Sequence, residues 1–159
     1  MNQSDEAEQL LDTVYGLIYS SKMPKIKKTP NGKPYFPDRL DIHFSLSHSK
    51  THILCGLSST PIGVDIESPR EINDRTLDFF STPVELEYFH PLELWVLKES
   101  YIKLFGKTLT DVKNLHFTRL GEKIISPDKS VKSYLLQIDS CYAAVSFIGE
   151  ETEISTVRV

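Results

Sequence analysis

This chain of 159 residues has only two cysteines, no net positive charge and no long apolar run. Its two cysteines form no CxxC pair and sit in apolar stretches, which argues against a disulfide framework or a catalytic thiol. The 22 acidic residues outnumber the 18 Lys and Arg, so the formal charge of −4 gives no overall basic signal for nucleic acid. No apolar run reaches the roughly 18 residues of a membrane-spanning helix. The remaining composition, 40% hydrophobic and 25% charged, is that of a globular protein.

The length and the first residues narrow the expectations further. A chain of this size buries a substantial core as one domain or as two half-size lobes. The sequence opens with MNQSDEAEQ, which is acidic and polar and does not resemble a signal or transit peptide. We therefore expect a cytoplasmic protein that does not bind membranes.

Periodicity predicts a mixture of helices and short strands. Apolar residues at helical spacing predict a helix over 5–19, and a linker with four prolines and six Lys or Arg follows at 20–39. Alternation and β-branched content predict strands, and Pro91 and Gly106 bracket the strongest helix. The strands are predicted at 42–48, 51–58, 62–67, 112–119, 123–126, 133–139, 141–148 and 152–158, and further helices at 74–80, 84–89 and 92–105. The predicted class is α+β, with antiparallel strands packed with helices.

The segment GVDIE at residues 63–67 places two carboxylates on one strand. Side chains alternate between the faces of a strand, so Asp65 and Glu67 point away from Val64 and Ile66. Their spacing of about 7 Å allows them to share a divalent cation. A solvated strand face with two uninvolved acids is the alternative, and this pair alone does not decide between the two.

The helix after Pro91 has apolar character on two sides. Leu94 and Leu97 belong to a core stripe at helical spacing, whereas Trp95, Glu99 and Lys103 lie four residues apart on nearly the opposite side. Glu99 and Lys103 could form an i,i+4 ion pair at the surface. Trp95 does not fit a solvent-facing stripe, so we expect a partly buried Glu99 that needs a partner or a metal. Three carboxylates of this kind suit a Mg²⁺ site.

Upstream lie residues suited to phosphate. Lys33, within a Gly-Lys-Pro segment, precedes Ser47 and His48, and together they combine a cation with hydroxyl and imidazole groups. Taken alone, His48 is also read as a structural histidine. Ser47 and His48 are adjacent on a strand and point to opposite faces, which excludes a hydrolase pair. His43, His48 and His52 lack the spacing of a zinc site.

These segments occur in the order of a known motif set. Gly-Lys33-Pro, the Ser47-His48 segment, GVDIE and Trp95-x-x-Lys-Glu99-x-x-x-Lys103 resemble the motifs of 4′-phosphopantetheinyl transferases of the surfactin-synthetase type. The resemblance covers about residues 30–148. It implies a transferase-like fold and transfer of the phosphopantetheine arm of coenzyme A to a serine of an acyl or peptidyl carrier protein, releasing 3′,5′-ADP.

The resemblance also implies residue roles. Asp65, Glu67 and Glu99 would bind Mg²⁺; Lys33, Ser47, His48 and Lys103 would contact coenzyme A. Lys103 would neutralise the diphosphate as its bond breaks, and Glu99 or Glu67 would take the serine proton. Coenzyme A is thus a substrate, and Mg²⁺ the cofactor.

The short N-terminal part departs from the larger, two-lobed members of the family. We expect a shortened N-terminal lobe over 1–60 and a C-terminal lobe with the metal site over 61–159, in one transferase-like domain. The basic residues in 25–39 either replace missing coenzyme A contacts or form a solvated linker. Glu85 and Glu87 are alternative matches to a family acid. A non-catalytic relative that binds coenzyme A or a carrier protein, and a Mg²⁺-dependent phosphodiesterase, are the competing functions.

Overall fold

A computed structural model describes residues 3–149, 154–156 and 158. Four α-helices and nine strands follow one another in the described part of the chain. The helices are α1 (Gln3–Tyr19), α2 (Asp74–Phe80), α3 (Pro83–Leu86) and α4 (Pro91–Phe105), and a 3-10 helix spans Leu109–Asn114. The strands are β1 (Lys27–Lys28), β2 (Pro34–Tyr35), β3 (His43–His48), β4 (Ile53–Ser58), β5 (Ile62–Glu67), β6 (Thr118–Leu120), β7 (Lys123–Ile125), β8 (Val131–Ile138) and β9 (Cys141–Ile148). The α+β prediction is confirmed.

All strand pairs are antiparallel. Strand β9 lies at the centre of a three-stranded sheet in the order β5-β9-β8, while β1-β2, β3-β4 and β6-β7 are separate two-stranded ladders. Strand β3 lies beside the free edge of β5 and connects to it through side chains. Ser45 Oγ accepts a hydrogen bond from the Val64 amide at 3.0 Å, and Ser47 Oγ accepts one from the Ile66 amide at 3.3 Å. These two serines satisfy edge amides of β5 that no strand ladder pairs.

Separate hydrophobic clusters support the two ends of the chain. The N-terminal cluster packs α1 against the linker and β3; its buried members are Leu11, Tyr15, Phe36, Ile42 and Phe44. The larger cluster surrounds α4, and it includes Leu94, Leu97 and Tyr101. The described helices include none that is long and apolar enough to cross a bilayer.

Helix α4 packs very closely on β5. A Cβ atom built on Gly63 would overlap the Ser100 carbonyl oxygen and the Leu104 amide, so only glycine allows this approach. A chain of buried hydroxyls also joins the helix to the sheet, with Ser100 Oγ 2.8 Å from Ser146 Oγ and Ser146 Oγ 2.8 Å from Ser133 Oγ. The helix is thereby fixed in rotation and height above the strand that carries the GVDIE segment.

The ends of α4 follow the sequence signals. Pro91 occupies the first turn after the His90 N-cap, and Gly106 ends the helix in the left-handed conformation at φ 61°. The two apolar sides predicted for the helix are both covered, since residues on nearly every side of it are buried. Lys98 is among them, fully buried and paired with Glu85 at 2.9 Å.

Several boundaries differ from the predictions. The segment 112–119 was expected to be a strand, but a 3-10 helix ends at Asn114 and only Thr118–Leu120 is extended. Its β-branched residues favour a strand, whereas the Thr108–Asp111 capping box closes a helical turn there. The linker contains the β1-β2 ladder, closed by the turn at Gly32. Of the strand predicted at 152–158, residues 154–156 and 158 are described and are not in a strand, and the others lie outside the described residues.

Candidate functional site

The two faces of β5 separate apolar from acidic side chains, as predicted. Val64 and Ile66 are buried in apolar clusters with side chains of β9. Gly63 abuts α4, and Asp65 and Glu67 follow it at intervals of two residues, so their side chains lie on the helix side. The acidic face of the strand is therefore covered by α4 and not solvated.

Asp65 lies where three distant segments meet. Its Oδ1 atom accepts hydrogen bonds from Ser47 Oγ at 2.7 Å and from Lys103 Nζ at 2.8 Å. Lys103 Nζ also donates to Ser47 Oγ at 2.9 Å, which closes a triangle between β3, β5 and α4. The residue is 5% exposed, and its Oδ2 atom is buried without any hydrogen-bond partner. A buried carboxylate oxygen without a partner is costly, and it is a free ligand for a cation.

Glu67 is paired with two other groups. Trp95 Nε1 donates to Glu67 Oε1 at 3.1 Å, which explains the indole on the second side of the helix. Arg70 donates from Nε to Oε2 at 3.3 Å and from Nη2 to Oε1 at 3.4 Å. The side chain of Glu67 is 27% exposed, so this carboxylate lies at the rim of the site.

Glu99 is the third carboxylate. Burial raises its pKa to about 7, and the negative charges of Asp65 and then Glu67 act in the same direction, while Lys103 opposes them. Both other acids therefore contribute to the raised pKa of Glu99. A carboxyl group with a pKa near neutrality can accept a proton at physiological pH.

A cavity of about 230 Å³ lies next to Lys103, between the linker, β3 and the end of α4. Lys33, Lys103 and Lys107 all line it. Lys33 Nζ donates to the carbonyl oxygen of Leu104 at the end of α4, and burial lowers the pKa of this lysine. Three lysines around one cavity provide the positive potential that an anionic ligand such as a phosphate requires.

The structure separates Ser47 from His48. Ser47 is buried in the hydrogen-bond triangle with Asp65 and Lys103, behind the cavity. His48 is exposed at the end of β3, on the other face. Two predicted site residues, Lys33 and Lys103, line the cavity. Among the described residues that line it, Ser47 and His48 are absent. The opposite orientation of Ser47 and His48 agrees with the exclusion of a hydrolase pair.

The acidic residues suit a hard cation. Carboxylate oxygens are the preferred ligands of Mg²⁺, and the unpartnered Oδ2 of Asp65 is an unused ligand atom. Within residues 3–149, 154–156 and 158, no group of three or more His, Cys, Asp or Glu side chains is already arranged to hold a metal. Instead, Asp65 is paired with Lys103 and Glu67 is paired with Arg70.

Sequence reasoning did not single out Arg70, Lys107 or the role of Lys98. Arg70 follows the GVDIE segment by three residues, so an acid–base spacing across the strand end could have indicated its pairing with Glu67. Lys107 comes directly after the Gly106 C-cap and lines the cavity. Glu85 is tied to Lys98 and is 2% exposed, so it supports the fold, and Glu87 directly follows α3.

Comparison with known proteins adds independent information. The sequence model of the 4′-phosphopantetheinyl transferase superfamily matches residues 61–147. A 4′-phosphopantetheinyl transferase of Bacillus subtilis is 41% identical over 92 residues, covering 50% of this chain and 40% of the relative. The 4′-phosphopantetheinyl transferase Sfp of Bacillus subtilis (strain 168) is 37% identical over 91 residues, covering 50% of this chain and 40% of the relative. The 4′-phosphopantetheinyl transferase psf-1 of Bacillus pumilus is 30% identical over 127 residues, with 72% of this chain and 54% of the relative covered.

The family model matches the part of the chain that carries the acidic strand and α4. The chain covers about two fifths to about half of the length of these relatives. The family model spans more than half of the chain and contains Asp65, Glu67, Glu99 and Lys103. The resemblance predicted from the motifs is confirmed, and the chain belongs to the 4′-phosphopantetheinyl transferase superfamily.

Proposed function

We propose that the protein transfers the 4′-phosphopantetheine group of coenzyme A to a serine hydroxyl of an acyl or peptidyl carrier protein, releasing 3′,5′-ADP. One observation carries the proposal. Ser47, Asp65 and Lys103 come from three separate motifs, and they meet within 2.9 Å of one another next to a lysine-lined cavity. Family membership and the names of the relatives support the same reaction.

Asp65, Glu67 and Glu99 would hold the Mg²⁺ ion. The donor set fits, because all three offer carboxylate oxygens and Asp65 Oδ2 has no partner. When bound, the metal would supply Lewis-acid polarisation of the diphosphate of coenzyme A.

The lysines would bind the anionic parts of coenzyme A. Lys33, on the linker, and Lys103, on α4, both line the cavity. Ser47 holds Lys103 in place by accepting its hydrogen bond. His48, at the exposed end of β3, would contact a phosphate outside the cavity.

The reaction requires a base and a cation near the leaving group. The serine Oγ of the carrier forms a bond to the phosphorus that carries the pantetheine arm, and the bond from that phosphorus to the oxygen of 3′,5′-ADP breaks. Glu99 or Glu67 accepts the serine proton, directly or through a water. The ammonium of Lys103 neutralises charge that develops on the diphosphate.

The remaining parts of the proposal concern the setting. The N-terminal cluster around Tyr15 and Phe36 would be the core of a reduced first lobe, residues 1–60, beside a second lobe of 61–159. Coenzyme A and a carrier protein would be the partners, with no nucleic acid and no membrane, and the reaction would take place in the cytoplasm. The formal net charge of −4 argues against nucleic acid as a partner.

Incubation with coenzyme A, Mg²⁺ and an apo carrier protein tests the proposal. The expected result is a carrier mass increase of one phosphopantetheine arm, absent in EDTA. Coenzyme A binding without carrier modification would instead support a non-catalytic relative, and cleavage of an oligonucleotide would support a phosphodiesterase. Because the carrier is unknown, acyl and peptidyl carrier proteins should both be supplied.

A further inference from the structure

Arg70 pairs with Glu67 at the rim of the proposed metal site. It lies in the loop after β5, three residues beyond Glu67, and its side chain is 39% exposed. Two of its guanidinium nitrogens donate to the two carboxylate oxygens of Glu67, at 3.3 and 3.4 Å. Trp95 Nε1 donates to one of the same oxygens. Both oxygens of Glu67 therefore have donors before any cation arrives.

A divalent cation and a guanidinium compete for such a carboxylate. Both need the lone pairs of the same two oxygen atoms, and the two positive charges repel each other at short range. Arg70 can leave because its side chain is partly exposed and lies on a loop. Lys103, in contrast, projects from the tightly packed α4 and keeps a second partner in Ser47. Arg70 is thus the more readily exchanged of the two counter-ions.

We propose that Arg70 is an internal counter-ion that competes with Mg²⁺ for Glu67 and so lowers the affinity of the site for the metal. The inference rests on the proposed function, because it assigns Glu67 to the metal. Arg70 acts through Glu67, so it is a positioning residue: it holds this carboxylate in place when no cation is bound and withdraws from it when the cation binds.

The direct test is a Mg²⁺ titration of the complete protein, without coenzyme A, by calorimetry at constant low ionic strength. The Arg70→Gln variant should bind Mg²⁺ about threefold to fivefold more tightly than wild type, since an exposed ion pair of up to about 1 kcal/mol is removed from the competition. Arg70→Lys keeps the charge and should stay closer to wild type. Trp95 is the sole tryptophan and contacts Glu67, so its emission should change over the same concentration range.

Arg75→Gln is the matched control, because Arg75 is an exposed arginine in α2 and its loss changes the net charge by the same amount. Equal Mg²⁺ affinity of wild type and Arg70→Gln would overturn the inference and leave the metal site standing. The same tightening in Arg75→Gln would also overturn it, since the effect would then be one of overall charge. If neither wild type nor Arg70→Gln binds Mg²⁺, the proposed metal site fails and this inference fails with it.

Discussion

Helix α4 carries two lysines five residues apart, and their carboxylate partners differ in how fully they are paired. Lys98 is fully buried with Glu85, and every oxygen of that carboxylate has donors. Lys103 is 31% exposed and meets Asp65, one oxygen of which has no partner. A saturated buried pair fixes structure, whereas an unsaturated carboxylate beside a cavity retains capacity to bind a ligand.

The surroundings of the Glu85 pair explain its saturation. Glu85 accepts hydrogen bonds from the Phe117 amide at 3.1 Å and from the Thr82 amide and hydroxyl at 3.0 Å. Lys98 also donates to the carbonyl oxygen of Phe80 at 2.5 Å. Burial lowers the pKa of Lys98, and Glu85 opposes that shift by favouring the charged lysine. The pair thus ties α2, α3 and the segment before β6 to the helix that carries the site.

The largest effect that we expect is a difference in stability between variants of the two lysines. Lys98→Ala leaves a buried carboxylate without its cation and should lower the free energy of unfolding by about 3 to 5 kcal/mol. Lys103→Ala is the matched change on the same helix and should cost less, about 1 to 2 kcal/mol, because Lys103 is 31% exposed and the buried Asp65 keeps its hydrogen bond from Ser47. Urea denaturation measures both. Similar losses for the two variants would remove the distinction.

Asp65→Asn should separate activity from folding. The amide keeps the size of the side chain but loses the charge, so the fold should persist while transfer to the carrier falls about 100- to 1,000-fold. Glu99→Gln should behave in the same way. Initial rates of carrier modification, with circular dichroism of each variant, provide the measurement. Transfer near the wild-type rate in either variant would refute the assignment of that carboxylate.

Lys33→Ala tests whether the lysine-lined cavity binds coenzyme A. We expect the KM for coenzyme A to rise about tenfold with little change in kcat, because one charge-assisted contact of about 1.5 kcal/mol is lost in binding. Lys27→Ala is the control, since this lysine is exposed on β1 in the same basic linker. An unchanged KM in Lys33→Ala would place coenzyme A elsewhere.

The smallest expected effect is a pH dependence of stability. The pKa of Glu99 is raised to about 7 in the folded, metal-free protein, so its ionisation costs stability. The contribution of Glu99 to stability is then fully present below the ordinary glutamate pKa and is lost as the pH rises through about 7. Mg²⁺ favours the ionised carboxylate, so it should raise the Tm more at pH 8 than at pH 6.

Thermal unfolding in EDTA and in Mg²⁺ at both pH values checks this expectation. Glu99→Gln cannot ionise at this position, so the pH-dependent part of the Mg²⁺ effect should be smaller in that variant. An equal Mg²⁺ effect at both pH values in wild type would contradict the assignment of the shifted pKa to a metal-binding carboxylate.

Much of the site could be predicted because its patterns are local. The alternation in GVDIE placed Asp65 and Glu67 on one face, and the Pro91 and Gly106 signals gave α4 nearly to the residue. The 3-10 helix at Leu109–Asn114 was missed because β-branched content in that segment favours a strand, and a single capping box outweighed it. Where local signals conflict in this way, the packing of the segment decides between helix and strand.

The side-chain contacts between different helices and strands could not be predicted from neighbouring residues in the sequence. Glu85 meets Lys98 across a turn between two helices, and Ser47 meets Asp65 across strands that share no backbone ladder. No spacing in the sequence predicts these contacts, because they depend on how α3 packs against α4 and how β3 lies beside β5. Arg70 differs from these, because its partner lies only three residues away in the chain.

Periodicity and residue types at fixed spacing are enough to predict the α+β class, the acidic face of β5, the limits of α4 and the order of motifs that marks the family. Which carboxylates are fully hydrogen-bonded depends instead on packing between segments that are far apart in the chain. Full pairing depends on donors from other segments: Glu85 receives hydrogen bonds from Lys98 and Phe117 as well as from nearby Thr82, whereas Asp65 has one oxygen without a partner. That difference, set by packing, distinguishes the structural carboxylate of Glu85 from Asp65, which we propose as a metal ligand.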